Sequence, residues 1–275
     1  MKNFRKVLMV FAISFISISM FAQGPYISFN AGYGMGTSTM SLDNYGFTNY
    51  TSNPDSYTQE QIFLSLGEGI NINGAFGLMF NENLGAEIGV SYLMGSETEA
   101  KDVYSSGDGL TTYAISSNML RVSPSLVFSA NMGGFKPYAK FGMLIGKGTI
   151  EFKYEDNDPS GDEYIRHAEF GGGLALGLNA GVGALFSLSD NMAIFGEISM
   201  DNMTYAPTEG EVTKATYNGE DQLGDMTTSQ KEIEFVDSYT YDYSNPPSDS
   251  EPSQELKHKF PYGKIGFNFG IRLGF

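Results

Sequence analysis

Six ionisable residues of both signs fall on one face of the alternating segments in this chain. They are Glu87, Arg121, Lys140, Glu197, Lys264 and Arg272. Small and polar residues share this face, among them Asn73, Ser91, Asn179, Ser199 and Asn268. If the face is enclosed, opposite charges should pair, because an unpaired buried charge is costly. The sequence therefore predicts that Glu87 and Glu197 pair with some of Arg121, Lys140 and Arg272.

The stretch "DNDPSGDEYIRH" is a second candidate for chemistry. Asp156, Asp158, Ser160 and Asp162 match the first half of a calcium-binding loop, with Gly161 at its sixth position. Such a loop needs oxygen ligands at alternate positions and a bidentate glutamate at position twelve. Position twelve here is His167, and no helical pattern flanks the stretch. Calcium binding is one hypothesis, and an ordinary solvated loop is the other.

Catalytic residues are sparse. The chain has two histidines, His167 and His258, each at the outer start of a predicted strand, and Asp201 falls at a similar height. A lipid-modifying site of the Ser–His–Asp kind would need a nucleophile, yet no G-x-S-x-G motif is present. The sequence therefore predicts two exposed histidines, no enzymatic activity and no cofactor.

The elements that carry these residues are eight segments in which apolar residues occupy every second position. They cover residues 25–36, 72–80, 85–95, 118–128, 138–146, 174–186, 192–200 and 261–275. This period of two predicts β-strands with one apolar face. About ten residues per strand is the length needed to cross a membrane at a tilt.

The connections between these segments alternate in length. Three are short turns, "NENLG", "NMGGFK" and "SDN", and four are long and polar, at residues 37–66, 96–112, 154–166 and 206–257. Short turns at one end and long loops at the other are typical of an outer-membrane barrel. The fold predicted is all-β: a transmembrane, antiparallel, up-and-down barrel of eight strands with long extracellular loops. A soluble lipocalin-like barrel or sandwich would not explain the alternation of loop lengths.

The N-terminal segment "MKNFRKVLMVFAISFISISMFAQ" has a basic head and a short apolar stretch interrupted by serines. This pattern predicts a signal peptide over residues 1–22, cleaved before a barrel domain at 23–275. The chain has no cysteine, so no disulfide can stabilise the exported domain. Its 34 glycines, 21 phenylalanines and 17 tyrosines favour strands over helices.

The net charge is −16. Removing Lys2, Arg5 and Lys6 leaves 13 of the 16 basic residues against 32 acidic ones, a formal charge of −19. This balance argues against nucleic acid as a partner. Residues 206–255 hold 12 acids and two lysines, which predicts a solvated outer surface or divalent cations that bridge to lipopolysaccharide phosphates.

The closing "YGKIGFNFGIRLGF", the alternating segments and the "MFAQG" at the signal junction resemble the small eight-stranded outer-membrane barrels of the OmpA-transmembrane-domain and OmpX type, in the form common in Bacteroidota. The resemblance implies an outer-membrane location and contact with lipid and lipopolysaccharide. It also implies that the last strand, through Phe269, Ile271, Leu273 and Phe275, is the signal for the barrel-assembly machinery.

An eight-stranded barrel is wide enough only for its own side chains. We therefore expect the inner charges to form a salt-bridged plug rather than a gated ion pathway, and the protein to have a structural or cell-surface interaction role. One alternative is a small porin-like channel of ten strands, with "EVTKATY" and "KEIEFVDSYTYDYS" in residues 206–257 as an extra hairpin. A lipid-modifying enzyme is the third interpretation.

Overall fold

The computed structural model describes residues 24–37, 40–41, 48–53, 55–104, 109–244 and 246–275. Eight antiparallel strands form a closed barrel, and we number them in chain order. They are β1 (Gly24–Gly36), β2 (Gly69–Met79), β3 (Leu84–Gly95), β4 (Leu110–Ser129), β5 (Phe135–Asn157), β6 (Ala175–Ser187), β7 (Met192–Tyr205) and β8 (Lys264–Gly274). Each strand pairs with the next, and β8 pairs with β1. The prediction of an eight-stranded barrel is confirmed, while the signal peptide at 1–22 lies outside the described residues.

Alternation along each strand separates two faces, as β8 illustrates. Ile265, Phe267, Phe269, Ile271 and Leu273 point outward and are exposed. Lys264, Asn268 and Arg272 point inward, where they are largely buried. Phe269 is 73% exposed, a costly arrangement in water that becomes favourable against hydrocarbon. The polar interior and apolar exterior are the reverse of a soluble barrel.

The wall continues beyond the apolar belt as a curved extracellular sheet, which we call the outer sheet. The upper halves of β4 and β5 form its centre. On one side follow Thr98–Val103, Thr48–Asn53 and Ser56–Gln61. On the other side follow Glu163–Gly171, Glu209–Tyr217, Glu232–Val236 and Ser253–Leu256. Much of what the sequence predicted as polar loop at 96–112, 154–166 and 206–257 is therefore β-structure.

Minor elements complete the outer region. They are the short strands Met40–Ser41, Phe63–Leu64, Glu220–Asp221 and Phe260–Pro261, the 3₁₀ turn Leu223–Asp225 and the helix Thr228–Lys231. No helix in the part of the chain that the structure describes is long and apolar enough to span a membrane. Gly172 and Gly173, with φ of +76° and +65°, separate Glu163–Gly171 from β6, a backbone bend that favours glycine.

The ten-stranded alternative is wrong. Strand β7 pairs directly with β8, from Met192 opposite Leu273 to Asp201 opposite Lys264, so no hairpin lies between them. The segments proposed as the extra hairpin do form strands, but Glu209–Tyr217 pairs with Glu163–Gly171 in the outer sheet. Their backbone groups are satisfied above the barrel, so eight strands close it.

Candidate functional site

The candidate site is the barrel interior, which contains two groups of buried charges. In the group nearer the short turns, Lys140 lies between two glutamates. Its Nζ is 2.9 Å from Glu197 Oε2 and 3.3 Å from Glu87 Oε1. All three side chains are at least nine-tenths buried. A cation shared by two carboxylates offsets the cost of removing these charges from water.

The two glutamates occupy equivalent positions in the two halves of the barrel. Tyr26 on β1, Gly77 on β2 and Glu87 on β3 stand directly opposite one another in register. Tyr138, Gly183 and Glu197 repeat this row on β5, β6 and β7. Each tyrosine hydroxyl donates to its glutamate across the glycine, at 3.0 Å and 2.9 Å respectively. The missing side chains at Gly77 and Gly183 leave the space through which the tyrosines reach.

Arg272 closes this end of the interior. Its guanidinium carbon lies 4.0 Å from the ring centroid of Tyr26 and 5.5 Å from that of Tyr138. Its Nη2 is 3.9 Å from Glu87 Oε2. The buried side chains of Leu185 and Phe195 pack beside Tyr138. The result is an aromatic and apolar layer between the paired charges and the short-turn end.

The second group of charges lies nearer the outer sheet. Arg121 Nη1 is 3.1 Å from Asp201 Oδ2, and Lys264 Nζ is 3.4 Å from the same oxygen. Arg121 also donates to the side-chain oxygen of Asn71. The structure thus places all six predicted residues inside the barrel, but Arg121 pairs with Asp201 and not with a glutamate.

Asp201 is the interior residue that the sequence analysis missed, because it was grouped with His167 and His258 as a candidate catalytic acid at the outer rim. Glu197, Ser199 and Asp201 alternate inward along β7, so the period of two contained the signal. His167 instead lies in the outer sheet, with Nε2 3.4 Å from Glu155 Oε1. The aspartate contacts two interior cations, so it is not available as the acid of a rim triad.

The remaining polar side chains line a cavity of about 50 Å³ between the two charge groups. Asn73, Ser91, Asn179, Ser199 and Asn268 are among the residues that line it. Asn268 Nδ2 donates to Ser199 Oγ at 2.9 Å. A volume of this size holds only a few water molecules.

The outer mouth of the barrel is filled with apolar side chains. Tyr262 is fully buried there, its hydroxyl 2.5 Å from Ser117 Oγ, and its backbone N–H donates to Met203 O. Pro261, predicted as the start of the last strand, pairs with Thr204 of β7, and its carbonyl oxygen accepts from Leu66 N at 2.9 Å. Residues 262 and 263 interrupt the strand before β8 begins at Lys264. The surrounding core includes Leu64, Leu66, Leu93, Met119, Leu144, Ile150, Met203, Tyr205 and Phe260.

The candidate calcium residues lie at the hairpin after β5. Asp158 Oδ1 accepts from Ser160 N, Ser160 Oγ and Asp162 N at 2.8, 2.6 and 3.1 Å. Asp156 points elsewhere and accepts from Thr111 Oγ1 at 2.6 Å. The structure therefore does not bring all four residues together around one point. Within the described ranges, no group of three or more His, Cys, Asp or Glu side chains is placed to hold a metal.

The four residues of the suggested assembly signal share the outer face of the last strand. Phe269, Ile271, Leu273 and Phe275 are all exposed on the side that carries the apolar belt. Phe275 donates its backbone N–H to Pro25 O at 3.2 Å, next to the first residues of β1.

Comparison with known proteins agrees with this architecture. The family model described as outer membrane protein beta-barrel domain matches residues 8–219, well over half of the chain. No curated protein matches the chain. Solved structures similar to it include Neisserial surface protein A, at 10% identity and a TM-score of 0.41, which covers 92% of this chain and 99% of that one.

The chain is also similar to the solved structures of two other outer-membrane proteins. The attachment invasion locus protein Ail of Yersinia pestis, solved with the heparin analogue sucrose octasulfate, is 12% identical with a TM-score of 0.27, and the match covers 92% of this chain and all of that one. The outer membrane protease OmpT of Escherichia coli is 9% identical with a TM-score of 0.36, and the match covers 92% and 97% of the two chains. The family model, which spans most of the chain, decides the assignment: this protein belongs to the outer membrane protein β-barrel domain family and resides in the outer membrane.

Proposed function

We propose that this protein is a closed, non-conducting barrel that holds the outer sheet at the cell surface, where it has a structural or interaction role. The observation that carries the proposal is the sequence of layers inside the barrel. The paired charges lie between the aromatic layer around Arg272 and the apolar mouth around Tyr262. A solute crossing the barrel would have to displace both layers and also separate the salt bridges.

The size of the interior supports this proposal over a small porin. The polar cavity of about 50 Å³ is far smaller than the water-filled lumen of barrels with sixteen or more strands. The interior holds seven charged residues, of which three are anions. Each anion, Glu87, Glu197 or Asp201, contacts at least one cation. An ion pathway would require these contacts to break, at a large cost in a region of low dielectric constant.

Single-channel recording in planar bilayers tests the proposal. We expect the refolded wild-type barrel to insert without steady conductance steps, with a general porin as the positive control for insertion. Steady, large conductance of the wild type would overturn the closed-barrel proposal.

We further propose the partners that this location implies. Lipid tails contact the outward apolar residues, lipopolysaccharide surrounds the rim, and the assembly machinery reads the alternating apolar residues of β8. The acidic outer region is suited to divalent cations that bridge to lipid phosphates. Isothermal titration with calcium and magnesium, in membranes with and without lipopolysaccharide, tests the cation bridge, and equal heats in both would count against it.

A further inference from the structure

The group of interior charges nearer the outer sheet is not balanced. It contains two cations, Arg121 and Lys264, and one anion, Asp201, and all three side chains are at least nine-tenths buried. The group nearer the short turns is balanced, because its two cations face two glutamates. Among the residues that the structure describes, the interior therefore holds four cations against three anions. A buried positive charge without a counter-ion is costly.

The single carboxylate of this group is shared by both cations. Arg121 Nη1 and Lys264 Nζ contact the same oxygen, Asp201 Oδ2, at 3.1 Å and 3.4 Å. An ammonium has three N–H donors, and the contact with Asp201 occupies one of those on Lys264. Since both cations reach one oxygen, they are also close enough to contact one small anion. The group can therefore take a further acceptor, and its excess charge favours a negative one.

Arg121 carries an unused donor, which is an independent observation. Its Nη1 donates to Asp201 and its Nη2 to Asn71, whereas its Nε is buried and has no hydrogen-bond partner. A buried donor without an acceptor destabilises a protein, and most such donors are satisfied. Arg272 Nε also lacks a partner, but the charges of its group are balanced. Excess positive charge and an unused buried donor therefore coincide at Arg121.

The polar cavity of about 50 Å³ provides the space for a ligand. Arg121, Asp201 and Lys264 all line it, together with Asn73. A chloride ion is only slightly larger than a water molecule, so the cavity admits one such ion with water beside it. Asn73 Oδ1 is buried and has no hydrogen-bond partner. A water molecule in the cavity can donate one hydrogen to this oxygen and the other to the anion.

We propose that this cavity binds one monovalent anion of the size of chloride, through Arg121 Nε and the Lys264 ammonium. The anion neutralises the excess charge and accepts the hydrogen bond that Nε needs. Water alone would satisfy the donor but leave the charge unbalanced, and a metal cation would be repelled. The site goes beyond the proposed surface role and does not depend on what the outer sheet contacts.

Anomalous diffraction tests the site directly. The full barrel is unfolded in urea and refolded in bromide, an anomalous scatterer that replaces chloride, so that the ion is taken up before the two ends of the interior close. We expect a bromide peak in the cavity, in contact with Arg121 and Lys264. Crystals of Lys264→Gln prepared in the same way should lack it, because the substitution removes the excess charge. Wild-type crystals without a peak in the cavity overturn the proposal.

Unfolding at constant ionic strength gives a second measurement. Chloride replaces gluconate, an anion too bulky for the cavity, and urea unfolding in lipid vesicles is followed by tyrosine fluorescence. Once chloride exceeds its dissociation constant, each tenfold increase should lower the unfolding constant of the wild type by about tenfold. We expect no such dependence for Lys264→Gln. Lys147→Gln is the matched control, because it removes an exposed charge on the outward face of β5 and should keep the full dependence.

Two outcomes of the unfolding experiment contradict the anion site. Stability of the wild type that does not respond to chloride overturns the proposal. Equal chloride dependence of the wild type and Lys264→Gln also overturns it, because a general salt effect would act on both. If Lys264→Gln does not fold, the bromide peak in the wild type decides alone.

Discussion

Tyr26 and Glu87 are joined by a 3.0 Å hydrogen bond that passes over the intervening strand at Gly77. A Cβ atom added to Gly77 would lie 2.1 Å from Cζ of the Tyr26 ring. The glycine is therefore part of the charge network although it carries no charge. The same arrangement occurs at Tyr138, Gly183 and Glu197, so in both halves of the barrel a glycine makes room for a tyrosine to reach a buried glutamate.

Gly77→Ala should destabilise the barrel by about 1–3 kcal/mol, because the new methyl group displaces the Tyr26 ring from Glu87. Urea unfolding in lipid vesicles, followed by tyrosine fluorescence, measures the loss. Gly74→Ala is the matched control on the same strand, since its Cβ would meet Phe29 at an ordinary 3.5 Å. The double variant Tyr26→Ala/Gly77→Ala should be strongly non-additive, and simple additivity would contradict the proposed coupling.

Asp201→Asn should destabilise the barrel by about 3–5 kcal/mol, because it leaves Arg121 and Lys264 buried without their shared carboxylate. The same unfolding assay measures the change. Glu99→Gln is a suitable control: it removes an exposed ion pair with Lys101 and should change stability by less than about 1 kcal/mol. Equal effects of the two substitutions would mean that Asp201 is hydrated rather than buried.

Phe260→Ala should destabilise the outer mouth by about 3–5 kcal/mol, the usual effect of removing a fully buried phenylalanine ring. Phe260 is 2% exposed and belongs to the apolar core above the charge network. Tyr243→Ala, at a residue 90% exposed in the outer region, should be nearly neutral. A mouth that tolerated the loss of Phe260 would not be the tight seal that the closed-barrel proposal needs.

The strand count and the two faces of each strand could be read from the sequence, because lipid on one side imposes an unbroken period of two. The extension of β4 and β5 into the outer sheet could not be predicted from the sequence. Above Ile145 the outward residues of β5 become Lys147, Thr149 and Glu151. The apolar residue there, Ile150, is buried on the opposite face, so the apolar pattern changes faces and no longer matches that of a membrane-spanning strand. Pairing of the outer strands depends on contacts between distant segments, which local alternation does not encode.

The interior shows a similar limit. Alternation identified six of the seven charged residues, but it did not identify which acid meets which cation. That choice depends on the stagger between strands, which sets the height of each side chain in the barrel. Arg121 on β4 and Asp201 on β7 meet across the lumen, a contact that no spacing within either strand reveals.

The hairpin after β5 offers a prediction about pH. Hydrogen bonds from the Ser160 hydroxyl, and then from backbone N–H groups, hold the pKa of the Asp158 carboxyl below its usual value. A lowered folded-state pKa means that this contribution to stability is present above the unfolded pKa and is lost as pH falls through the folded one. Ser160→Ala should raise the pKa of Asp158 toward its usual value in an NMR titration. An unchanged pKa would mean that the backbone donors suffice.

The outward face of β8 provides the last prediction. Phe269→Lys places a charge near the middle of the apolar belt and should destabilise the folded barrel by about 2–4 kcal/mol, because the ammonium must leave water for hydrocarbon. Phe269→Leu keeps the site apolar and should have a much smaller effect. Unfolding in vesicles of defined lipid measures both. If the two variants were equally stable, Phe269 would not face hydrocarbon, and the outward orientation of the β8 side chains would have to be abandoned.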